Sequence, residues 1–142
     1  MLANYQISIE AQPQPADMGV IIKGLGAYNA SMADGDTPNY LFVTVRAEDG
    51  AVVGGLVGAT YLGWLQVQAL WVSDELRSGG YGTQLMDAAE AEAVRRGCPR
   101  VFLETLSFQA LPFYQKRGYK IASEIPDFPP GAGSRYALTK EL

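Results

Sequence analysis

The chain has 142 residues, of which 48% are hydrophobic and 18% charged, and a formal net charge of -4. This suits one compact domain (1–142) with a single core and gives no overall electrostatic pull on DNA or RNA. The absence of histidine and the single cysteine, Cys98, exclude Ser-His-Asp and Cys-His catalysis, His-ligated and Cys-cluster metal sites, and an internal disulfide.

Cys98 follows Gly97 just before an apolar run and reads as a small buried hydrophobe. No apolar stretch approaches the ~18 residues of a membrane span. The N-terminus lacks the basic and apolar regions of a secretory signal. The expectation is a cytoplasmic protein with neither nucleic acid nor membrane as partner.

Tyr5, Ile7 and Ile9 alternate with polar residues, the pattern of a short strand, which Gln12-Pro13-Gln14-Pro15 ends. Asp17 is placed to cap a helix on which Ile21, Ile22, Leu25 and Tyr28 recur at helical spacing, against three glycines that weaken it. Asp34–Pro38 is a loop. Tyr40–Ala47 reads as a strand with Leu41, Val43 and Val45 on one face, and Glu48-Asp49-Gly50 as a hairpin turn. Ala51–Tyr61 is the return strand. After Leu62-Gly63, Trp64–Val72 forms a third, with Leu65, Val67, Ala69 and Trp71 predicted to share a face.

Past Val72 the period changes. Thr83–Arg96 is predicted to be a helix with Leu85, Met86, Ala89 and Ala93 in register, closed by Gly97. A buried strand over Val101–Thr105, a helix over Ala110–Arg117 and strands over Tyr119–Ala122 and Arg135–Thr139 complete the chain. The order implies an α+β fold with one βαβ crossover from Trp64–Val72 to Val101–Thr105.

The segment Arg77-Ser78-Gly79-Gly80-Tyr81-Gly82-Thr83 opens the long helix. Its glycines let backbone approach a ligand closely, and the first N–H groups of a helix point, unpaired, at the positive end of its dipole. An anion such as a phosphate is favoured there, with Arg77 able to add a charge-assisted contact. Gly80 and Gly82 are expected where backbone nears phosphate oxygens, and a β-branched side chain at Gly82 would fill that space and resist a positive φ. Thr83-Gln84 is not the Lys-Ser/Thr pair of a P-loop. Leu85 stands where a dinucleotide fingerprint needs glycine, although Glu104, at the end of the next strand, keeps dinucleotide binding as an alternative.

Arg77-x-x-Gly80-x-Gly82, between the strand ending Leu70-Trp71-Val72 and the helix Thr83–Arg96, resembles motif A of the GCN5-related N-acetyltransferase (GNAT) superfamily. The run Ala110 to Tyr119, with Phe113-Tyr114 followed by Gly118-Tyr119, resembles that family's second signature. The resemblance implies a mixed, mainly antiparallel sheet of six to seven strands with helices on both faces, and acetyl-CoA as cofactor. It implies pyrophosphate binding by backbone from Gly79 to Thr83, beside Arg77 and Ser78. Pairing of pantetheine with the backbone of Leu70, Trp71 and Val72, in a splay between the two central strands, is implied as well. Tyr114 would sit near the cofactor sulfur, with Phe113 and Phe108 beside the site. Many relatives carry Asn shortly before the Phe-Tyr helix. Here Ser107 or Gln109 is left to make that polar contact.

Amine acetylation requires an amine proton to be removed, an oxyanion to be held and a thiolate to be protonated. Backbone N–H groups near Leu70–Val72 suit the oxyanion, and Tyr114 suits the acid. Gln66 and Gln68 stand where many relatives place a basic Glu, and neither can take a proton. Glu104 is the best-placed carboxylate, with a strand-end salt bridge or a water chain as alternatives. Tyr28, Asn29, Tyr61 and Trp64 are the candidates for the acceptor side. The predicted activity is transfer from acetyl-CoA to a small-molecule or peptide amine; a non-catalytic acyl-CoA-binding module is the rival reading. The resemblance also allows a homodimer, with Tyr61 and Trp64 available to its interface.

Overall fold

A computed structural model describes residues 3–142. Two compact units are distinguished, one ending at Thr37 and the other spanning Pro38–Leu142.

The first unit holds one helix, α1 (Pro15–Met32). It starts two residues before the expected cap: Pro15 occupies the first turn, where its missing N–H costs nothing, and Gln14, not Asp17, is the capping residue, without a side-chain hydrogen bond. The glycines do not interrupt it. Tyr5–Ile9 is not a strand. Alternation specifies which face a strand would show but supplies no neighbouring strand to pair with.

The second unit contains β1 (Asn39–Arg46), β2 (Val52–Tyr61), β3 (Trp64–Val72), α2 (Tyr81–Arg95), β4 (Arg100–Leu106), α3 (Leu111–Lys116), β5 (Lys120–Pro126) and β6 (Ser134–Glu141). The six strands form one sheet in the order β1-β2-β3-β4-β6-β5. All neighbours are antiparallel except β3 and β4, which α2 connects as the crossover. The α+β class and the mainly antiparallel sheet are those expected, at six strands. β5 extends to Pro126 because its ladder with β6 continues from Lys120↔Thr139 to Pro126↔Ser134, and β6 extends to Glu141 on its ladder with β4, which reaches Arg100↔Glu141.

The core lies between α2 and the sheet. Leu85, Met86, Ala89 and Ala93 are buried against a cluster that includes Leu41, Leu56, Leu65, Val67, Val101, Leu103 and Leu138. Cys98 is buried there as a free thiol. Gly97 has φ 79° and follows the helix as the C′ residue, its N–H donating to Val94 O.

One expectation about β3 fails. Leu65 and Val67 are buried, but Leu70 and Val72, not Ala69 and Trp71, pack toward the core. The register explains this: Gly58 pairs with Val67 and Val57 with Ala69, so Gln68 is an extra residue on β3. A bulge of this kind shifts the alternation by one and bends the strand. Trp71 is accordingly 55% exposed.

Candidate active site

The parallel pairing of β3 with β4 covers only Trp64↔Arg100 to Val67↔Leu103. Beyond it β3 runs on to Val72 and β4 to Leu106 without pairing to each other. The parting begins at the bulge. It leaves one backbone edge of Leu70–Val72 free, while the other edge is occupied by Leu56, Gly55 and Gly54 of β2. Between the strands lies a cleft of about 700 Å³. Val67–Val72 form one wall, Leu103, Glu104 and Thr105 the other, with Arg77, Phe108, Gln109, Ala110 and Tyr114 around it.

At one end of this cleft the chain turns through a short 3-10 segment, Asp74–Leu76, into the glycine loop. Gly80 is the N-cap of α2 and has φ 81°, a conformation that glycine adopts without penalty. Ser78 shares the left-handed region at φ 65°. Gly79 is confined, since a Cβ there would lie 3.2 Å from Leu76 O and 3.1 Å from the Tyr81 ring. The expectation of a positive φ at Gly82 is corrected: Gly82 lies inside the first turn of α2, and a Cβ would meet only the Phe113 ring, at 3.6 Å. Gln84 N–H donates to Gly80 O at 3.1 Å, so the N–H groups of Tyr81, Gly82 and Thr83 precede the first helical hydrogen bond. The helix has no side-chain cap. Arg77 is exposed, 3.1 Å from Asp74. The loop, the free edge and the cleft together fit an extended ligand with a phosphate group at one end.

Tyr114 projects from α3 into the same cleft. Its ring packs edge-on against Phe113 (centroids 5.1 Å apart) and Tyr119 (5.6 Å). Its hydroxyl makes no hydrogen bond among the described residues, yet it is not occluded: Arg117 Nε is the one fully buried side-chain polar atom there without a partner. The hydroxyl therefore keeps solvent access, on a residue that lines the cleft. Burial pushes the Tyr114 phenol above the ordinary tyrosine range, and the charge of Arg117 partly offsets this.

The other sequence candidates are distributed unevenly. Glu104 lines the cleft, and its Oε2 accepts a hydrogen bond from Arg135 Nε. Phe108 lines it with an exposed ring. Ser107 is not in the lining; its hydroxyl accepts the Ser134 N–H at 3.1 Å and so ties the loop to β6. Gln109 is in the lining, and its side-chain oxygen accepts the Leu106 N–H at 2.8 Å. Tyr61 and Trp64 form a pair at the hairpin between β2 and β3. They are not brought to the cleft: Trp64 and Leu70 are six residues apart on one strand, roughly 20 Å. Tyr28, with an exposed ring, and Asn29 lie on α1 in the other unit.

Two features escaped the sequence reading. Thr105 is buried and lines the cleft, its hydroxyl 3.4 Å from Ala110 N. Glu90 is buried on α2, among the apolar positions of the helix. A carboxylate on the stripe of Met86, Ala89 and Ala93 was a legible anomaly, since Glu is almost never buried without partners.

The family model of the Acetyltransferase (GNAT) family matches residues 8–119. The chain is 47% identical over 96 residues to a blasticidin-S acetyltransferase of Streptomyces morookaense, covering 67% of this chain and 70% of that protein. It is 40% identical over 103 residues to the acetyltransferase Atu2258 of Agrobacterium fabrum, covering 72% and 75%. An acetyltransferase structure from Bacillus cereus superposes with a TM-score of 0.78 at 30% identity, covering 95% of this chain and 98% of that one. The chain therefore belongs to the acetyltransferase (GNAT) family and is an acetyltransferase of that type.

Proposed function

We propose that the protein transfers an acetyl group from acetyl-CoA to a primary amine of a small molecule, with Tyr114 as the general acid. The observation that carries this reading is the parting of β3 from β4 beyond Val67, which opens a cleft lined by Tyr114 and by Arg77, the residue that leads into the glycine loop before α2.

The unpaired N–H groups of Tyr81, Gly82 and Thr83 are suited to the pyrophosphate, with Gly79, Gly80, Ser78 and Arg77 shaping and charging the loop. The free edge of Leu70, Trp71 and Val72 is suited to the pantetheine amides, in the manner of an added strand. Gln109 is better placed than Ser107 for a side-chain contact to that arm. The Phe113 ring packs beside Gly82, 3.6 Å from where a Cβ on that residue would stand.

Acetyl-CoA supplies a thioester whose carbonyl carbon an amine can attack and whose thiolate can leave. Backbone N–H groups of the bulged segment would stabilise charge on the carbonyl oxygen. The Tyr114 hydroxyl, still protonated at neutral pH, would give its proton to the departing sulfur. Glu104, which lines the cleft with Oε2 engaged by Arg135, would accept the proton of the incoming ammonium.

Similarity to a blasticidin-S acetyltransferase supports a small-molecule acceptor and makes blasticidin S the first amine to try. A panel of amines including it, incubated with acetyl-CoA and followed by mass spectrometry, tests the reading. One amine should gain a single acetyl group. If acetyl-CoA binds and no amine of the panel is modified, the small-molecule acceptor is ruled out.

A further inference from the structure

We propose that Glu90 is a positioning residue for Tyr114, fixing its ring and setting the charge its hydroxyl meets through Arg117 and Tyr119. The inference rests on the reading of Tyr114 as the acid.

Glu90 projects from the middle of α2 and joins three other elements. Its Oε2 lies 2.6 Å from Arg117 Nη2, at the C-terminal end of α3. Its Oε1 lies 2.7 Å from Lys140 Nζ on β6 and accepts the Tyr119 hydroxyl at 3.3 Å. Arg117 Nη2 also reaches Asp87 Oδ1 at 2.8 Å, one turn earlier on α2. Side-chain exposure is 9% for Glu90 and 12% for Arg117. Breaking such a buried pair leaves an uncompensated charge, so the groups are strongly held.

Tyr114 is gripped by this cluster from two directions. Arg117 follows it by three residues, and Arg117 N–H donates to Tyr114 O at 3.0 Å. The Tyr119 ring, anchored on Glu90, packs edge-on against the Tyr114 ring, and Lys140 Nζ lies 5.4 Å from the Tyr119 ring centroid. The helix that begins in the phosphate loop is thereby tied to the helix that carries the acid. The local charges balance: Glu90 and Asp87 against Arg117 and Lys140. Arg117 Nε has no partner among the described residues, so the guanidinium depends on two carboxylates for its compensation. Neutralising Glu90 leaves Arg117 and Lys140 facing Asp87 alone, and the excess positive charge favours the phenolate of Tyr114. Neutralising Arg117 has the opposite sign.

The test compares Glu90→Gln, Arg117→Met and wild type, with all tyrosines labelled at Cζ for NMR titration. The Tyr114 resonance is assigned by its loss in Tyr114→Phe. Its midpoint should move to lower pH in Glu90→Gln and to higher pH in Arg117→Met. In Glu90→Gln, kcat should fall about 10-fold while acetyl-CoA affinity holds, a smaller loss than the 10²-fold that a 1 Å misplacement of a reacting group can cause. A midpoint that stays put in both folded variants overturns the inference. If one variant does not fold, the sign of the shift in the other decides. If Tyr114→Phe retains normal kcat, the acid reading fails instead, and the two failures are distinct.

Discussion

Val67 pairs with Leu103, and this is the last pair that joins β3 to β4. The next residue of β3, Gln68, is the one left over in the register with β2. A single inserted residue thus bends the strand at the point where its neighbour departs. Both the cleft and the exposed edge that lines it follow from that coincidence. The glycine loop follows the same strand after the short Asp74–Leu76 segment, and Tyr114 lines the same cleft.

Gly80 is required by its conformation. An alanine held at φ 81° costs about 1–2 kcal/mol, or else the loop relaxes and turns its N–H groups away. Gly80→Ala should therefore lower thermal stability and weaken acetyl-CoA binding about 10-fold. Gly82→Val should weaken binding with less effect on the fold, because the nearest atom to its Cβ is Phe113 Cζ at 3.6 Å. Calorimetry and thermal melts on both variants check this. Unchanged CoA affinity in both would remove the phosphate from this loop.

Glu104 holds Arg135 in a half-exposed pair, and exposed pairs contribute little to stability. Its loss should therefore be felt in catalysis rather than in stability. Glu104→Gln is expected to lower kcat/KM about 10- to 100-fold and to flatten the rise of kcat/KM with pH. A pH–rate profile parallel to that of wild type would assign the proton to water.

Burial, and then the charge of Glu90, pushes the Tyr119 phenol far above the ordinary tyrosine value, and burial raises Tyr114 as well. Folded-state values above the unfolded one mean that the folded chain keeps protons the unfolded chain releases. This contribution is complete below about pH 10 and is lost as pH rises toward the folded-state values. The urea midpoint should fall above about pH 10, and Tyr119→Phe should reduce the slope of that fall. An identical slope in the variant would show that Tyr119 does not carry it.

The segment from Trp64 to Tyr119 was well legible in the sequence, because its signals are local. The apolar stripe of Leu85, Met86, Ala89 and Ala93 defines a helix face, and Gly97 marks the end of that helix. Arg77, Gly80 and Phe113-Tyr114 mark the candidate phosphate loop and the candidate acid without knowledge of distant contacts. The bulge was not legible: Ala69-Leu70-Trp71-Val72 is a run of four apolar residues, which fits either face. Tyr5–Ile9 had the pattern of a strand and no pairing partner. Arg117 and Lys140 stand 27 and 50 residues from Glu90, a separation at which periodicity carries no information. Ser107 was a reasonable choice by type, but its hydroxyl is already engaged by Ser134.

The proposed chemistry is acetyl transfer in this cleft with Tyr114 protonating the leaving sulfur. It is tested most directly by amine-dependent thiol release from acetyl-CoA, measured with wild type and Tyr114→Phe under saturating acceptor. The substitution keeps the ring and its contacts with Phe113 and Tyr119 and removes only the donor. Since the hydroxyl has no hydrogen bond among the described residues, stability should change little. Wild type should release thiol in step with amine consumed, and Tyr114→Phe should lose about 10- to 1,000-fold in kcat with acetyl-CoA affinity unchanged. Normal kcat in Tyr114→Phe, when chemistry limits the rate, would contradict the account.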